Sequence, residues 1–71
     1  MVYPNPFTDF IMIKNAEKVD RIILTDPSGV IVQDIENPSS LFTVENSKPG
    51  LYILTIKMKD GMVKSEKLIK K

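Results

Sequence analysis

Seventy-one residues carry ten Lys+Arg against nine Asp+Glu and contain no cysteine, histidine or tryptophan. That length holds one domain, residues 1–71, with a small core and no cleft between domains. The even charge excludes a strong field for nucleic acid or an anionic membrane. The missing residue types exclude disulfides, thiol chemistry, and the commonest general base and metal ligand.

Tyr3-Pro4-Asn5-Pro6-Phe7 opens the chain, and its two prolines fix an extended or turning path. Phe10–Ile13 is a short apolar run bounded by Asp9 and by Lys14-Asn15. Val19–Thr25 follows, rich in β-branched residues, and reads as a strand. Asp26-Pro27-Ser28-Gly29 suits a type I turn, with Asp26 first, Pro27 second and Gly29 fourth. Val30–Ile35 resumes strand character, so the two runs read as a hairpin. Glu36–Ser40 is a loop, Leu41–Val44 a short strand, and Glu45–Gly50 a second loop closed by Pro49-Gly50.

Leu51–Met58 is the strongest strand. Tyr52, Leu54, Ile56 and Met58 share one face. Leu51, Ile53, Thr55 and Lys57 share the other, so its first half is expected to be covered on both faces. Asp60-Gly61 marks a hairpin turn, and Met62–Ile69 returns alongside. The result is an all-β chain of about six to seven strands, spaced as in a small sandwich or barrel. No segment carries a helical period. The phenylalanines are expected in the core, and Tyr3 and Tyr52 are expected to be buried.

Charge is uneven along the chain. Residues 1–35 hold three basic and five acidic side chains, and residues 36–71 hold seven and four, for −2 and +3. Much of the excess is Lys64, Lys67, Lys70 and Lys71, set against Glu66. Lysines on an edge strand discourage stray sheet pairing, which is their ordinary reading. No stretch approaches the roughly 20 apolar residues of a membrane helix. No signal-peptide pattern opens the chain.

Catalytic chemistry finds little support. Five serines have no histidine to activate them. The aspartates fall mostly at turns and strand ends, where they serve turn hydrogen bonds and solubility. Three glycines, each in a different turn, build no phosphate cradle. A non-enzymatic domain without cofactor, metal or nucleic-acid partner is therefore expected.

Four segments together resemble the type A C-terminal sorting domains of the type IX secretion system. Val2-Tyr3-Pro4-Asn5-Pro6 is similar to the family's opening "YPNP" motif. Ile22 to Val32, with its Asp26–Gly29 turn, is similar to the strand, "D..G" turn and strand that follow. Lys48-Pro49-Gly50-Leu51-Tyr52-Ile53-Leu54 resembles the "L..G.Y.L" segment, with Val44 as the apolar residue before it. Lys64–Lys71 resembles the closing basic-apolar segment.

The resemblance implies an Ig-like antiparallel β-sandwich at the end of a larger secreted protein of a Bacteroidetes-type bacterium. It implies an address that takes an N-terminal passenger from the periplasm across the outer membrane to the cell surface or medium. The partners would be the outer-membrane secretion machinery and a sortase-like peptidase that removes the domain. Gly50, Tyr52, Lys67, Leu68, Ile69, Lys70 and Lys71 are the candidate residues for translocon recognition. Tyr3, Pro4, Asn5 and Pro6 are the candidate passenger junction, expected to hold it extended. Open sheet edges would allow a weak homodimer. The competing expectation is an accessory sandwich, fibronectin-like or carbohydrate-binding, of a secreted enzyme.

Overall fold

Alternation of apolar and polar side chains divides the chain between two antiparallel sheets, seen in a computed structural model that describes residues 2–44 and 47–71. Met1 and the Glu45-Asn46 part of the second loop lie outside the described residues. The first sheet has the order β1-β2-β5, with β1 Val2–Tyr3, β2 Phe10–Ile13 and β5 Leu41–Thr43. The second has the order β4-β3-β6-β7, with β3 Val19–Thr25, β4 Ile31–Glu36, β6 Gly50–Met58 and β7 Val63–Lys70. A single 3-10 turn, Ala16–Lys18, carries the chain from β2 to β3.

The inner faces meet in one apolar core. Ile22 stands opposite Ile56, Leu24 opposite Leu54, and Tyr52 opposite Leu68 across the larger sheet. Phe7, Ile11, Ile13 and Val44 meet them from the other side, all fully buried. Residues two apart in a strand share a face, so this register commits every second side chain to the core. No charged or polar residue among those described is buried.

Two layers leave each sheet one face in water, and that corrects three expectations. Phe10 is 39% exposed, because Ile11 and Ile13 of β2 take the core side. Tyr3 is 47% exposed, because Val2 takes the core side of β1. Leu51 is 38% exposed, because no second layer covers the outer face of β6.

The hairpins β3–β4 and β6–β7 turn by one device. Gly29 N–H donates to the Asp26 carbonyl at 3.0 Å, and Asp26 N–H donates to the Val30 carbonyl at 3.0 Å. Gly61 N–H donates to Met58 at 3.0 Å, and Met58 N–H donates to Met62 at 2.8 Å. Both glycines have positive φ, +88° and +94°, as a turn-plus-bulge closure requires. Asp26 Oδ1 also accepts from Ser28 N–H, Ser28 Oγ and Val30 N–H, so this carboxylate serves the turn. Asp60 does the same for Met62 N–H at 2.9 Å.

Candidate functional site

The last strand alternates. Leu68 points inward and is buried, while Lys67 and Ile69 point outward, Ile69 at 48% exposure. Lys71 follows the strand and is exposed. Lys70 lies on the inner side, and its ammonium donates to the carbonyls of Val44 at 3.1 Å and Ser47 at 2.8 Å. It therefore ties the end of the chain to the loop before β6 rather than standing free.

Gly50 and Tyr52 hold the other end of that loop. Gly50 has φ +140°, and nothing lies within 4 Å of the position a Cβ would take. Glycine is needed here for its backbone freedom, not for space. The Tyr52 hydroxyl donates to the Lys48 carbonyl at 2.5 Å, four residues upstream. Its ring meets Phe7 edge-on, with centroids 6.3 Å apart. A buried tyrosine whose hydroxyl returns to the backbone just upstream is the corner device of Ig-type sandwiches.

The opening motif lies against the tail. Both the Tyr3–Pro4 and Asn5–Pro6 peptide bonds are cis. From β1 at the edge of the smaller sheet, the chain crosses to the outer edge of β7 in the larger one. There Phe7 N–H donates to the Ile69 carbonyl at 2.8 Å, and Lys71 N–H donates to the Phe7 carbonyl at 2.9 Å. These are the two bonds of a parallel bridge between Phe7 and Lys70. Asn5 adds two more through its side chain. Its Nδ2 donates to the Lys67 carbonyl at 3.1 Å, and its Oδ1 accepts from Ile69 N–H at 3.0 Å. The segment is thus docked on the tail, where the sequence suggested a rigid linker held extended.

Nothing in the local pattern signals this docking, because its partners are more than sixty positions apart. The only hint is the Asn between two prolines. Pro4 and Pro6 have no N–H to give a ladder, and a carboxamide carries both a donor and an acceptor.

One charge pair stands on the outer face of the larger sheet. Arg21 of β3 donates through Nε to Asp34 Oδ1 at 2.7 Å and through Nη2 to Oδ2 at 2.5 Å. That fork-to-fork hydrogen bonding holds the Asp34 carboxyl below its ordinary range and raises Arg21 above its own. Asp34 is engaged in sheet pairing, as Asp26 and Asp60 are in turns.

Two sheets joined by a tyrosine corner place the fold among small Ig-like β-sandwiches. The chain belongs to the secretion system C-terminal sorting domain family, whose match spans residues 1–71. No curated protein matches it. Membership makes it a type IX C-terminal sorting signal of the kind found in Bacteroidetes. It implies interaction with the type IX machinery, attachment to an N-terminal passenger, and export across the outer membrane to the surface or medium. Domains of this family are in general non-catalytic.

Proposed function

We propose that the β6–β7 hairpin is the element the secretion machinery reads. Lys67, Ile69 and Lys71 are its contact side chains. Gly50, Tyr52, Leu68 and Lys70 hold that surface in place. One observation carries the reading: the alternation along β7 anchors Leu68 in the core while presenting an apolar Ile69 between two lysines. The lysines would set orientation and association rate more than affinity. A sortase-like peptidase then removes the domain at a junction upstream of Val2, and the passenger becomes anchored to surface lipopolysaccharide. Before that step the fusion passes through the periplasm. The uncovered edge of β4, with Val30 and Ile31 exposed, is where a second copy would pair weakly.

The test is a reporter fusion. A periplasm-directed fluorescent protein carries residues 2–71 at its C-terminus in a bacterium with type IX secretion. The reading expects the reporter at the surface or in the medium. It expects retention in the periplasm when residues 68–71 are removed. Export of that truncated fusion at the parent level would overturn it.

A second reading, an accessory sugar-binding sandwich, is favoured by one observation. Tyr3 and Phe10 are both exposed on the outer face of the smaller sheet, where Tyr3 stands opposite Met12. Stacking platforms of this kind hold sugars or other flat apolar partners. Periplasmic retention of the full fusion, together with glycan binding lost in Tyr3→Ala, would select it.

A further inference from the structure

The last residues of β7 ought to present an open sheet edge, because β7 is the final strand of its sheet. They do not. Residues 67, 69 and 71 turn their backbone groups away from β6, and those groups are met in sequence by one short segment. The Lys67 carbonyl and Ile69 N–H meet the Asn5 carboxamide, and the Ile69 carbonyl and Lys71 N–H meet the Phe7 backbone. Phe7 sits opposite Lys70 as a parallel strand residue would. The Asn5 side chain repeats the same donor-acceptor pair two residues earlier, opposite Leu68. It therefore stands in for the N–H and carbonyl that a strand residue would present opposite Leu68. Aspartate offers no donor there at neutral pH, and alanine offers neither group.

We propose that the segment Tyr3–Phe7 is a latch on the tail, with Asn5 as its positioning residue, and that the latch and the tail form one recognition element. The latch fixes the outward register of Lys67, Ile69 and Lys71. It also closes the tail's outer edge to strand addition, so a partner strand finds a free edge on β7 only toward Val63. The part of this inference that concerns export rests on the hairpin reading above; the latch itself does not.

Site-resolved amide hydrogen exchange on the isolated domain tests the latch, with Asn5→Ala as the variant. Asn5 is exposed, so the sandwich should survive the change. Exchange at Ile69 and Lys71 should rise about tenfold, the scale of one lost hydrogen bond. Leu68 and Lys70 point their amides at β6 and should keep parental protection, as should the central residues of β3 and β6. That alternation separates release of the latch from fraying of the whole strand. Unchanged exchange at Ile69 and Lys71, or loss of protection at all four β7 residues together, would overturn the latch.

The same variant in the reporter fusion tests the shared recognition element. Export should fall severalfold. Released amides with parental export would overturn the claim that the latch shapes recognition, while leaving the sorting signal intact. Failure of the unmodified fusion to leave the periplasm would instead count against the hairpin reading, and the exchange result would stand on its own.

Discussion

Asp34 shows how a single residue ties charge to sheet pairing. Its folded pKa is lowered, chiefly by the hydrogen bonds from Arg21. A lowered folded pKa contributes stability above the unfolded value, and that contribution is lost as pH falls through the folded value. The Asp34→Asn variant should therefore be slightly less stable than the parent at neutral pH. The gap should close in acid, below about pH 4, and shrink in high salt, because both side chains are partly exposed. Urea denaturation across pH checks this, and a gap that widens on acidification would contradict it. At the same scale, the sequence announced turn residues better than contacts. Asp26, Gly29, Asp60 and Gly61 are legible because their role is local. Asn5 stood out as part of a motif, yet its task depends on Lys67 and Ile69, which no local pattern connects to it.

At the scale of elements, β2 and β3 fall where their apolar runs place them. β1 does not, because two residues before a proline carry no measurable alternation. The short 3-10 turn at Ala16–Lys18 is equally silent, as three residues show no helical period. The expectation of two covered faces on β6 failed for a different reason. A continuous apolar run does not say whether a second layer exists, and here it does not. The start of β6 was legible: Pro49-Gly50 marks it, and Gly50 has the positive φ that only glycine adopts readily. Gly50→Ala meets no clash, so its cost is conformational, about 1–3 kcal/mol. It should appear as a lower urea midpoint with an unchanged m-value. A neutral result would mean that the loop relaxes around the new residue.

At the scale of the molecule, a chain of this size has few ways to present a signal. Its core is one layer of side chains between two sheets, and on the proposed hairpin reading its last strand must both complete that core and be read. The alternation of β7 reconciles the two demands, with Leu68 inward and Lys67 and Ile69 outward. Removing residues 68–71 disturbs both at once, so loss of export in that truncation has two physical causes. Substitutions confined to the outward side chains leave only one.

The most direct measurement is therefore export of a reporter fused to residues 2–71 that carry Lys67→Glu, Ile69→Thr and Lys71→Glu together. These side chains are exposed and their backbone hydrogen bonds remain, so Tm should move little from the parent. The threonine keeps the β-branched shape that suits a strand. The account predicts a folded domain whose reporter stays in the periplasm. A folded domain exported at the parental level would contradict it, and would place the signal elsewhere on the sandwich.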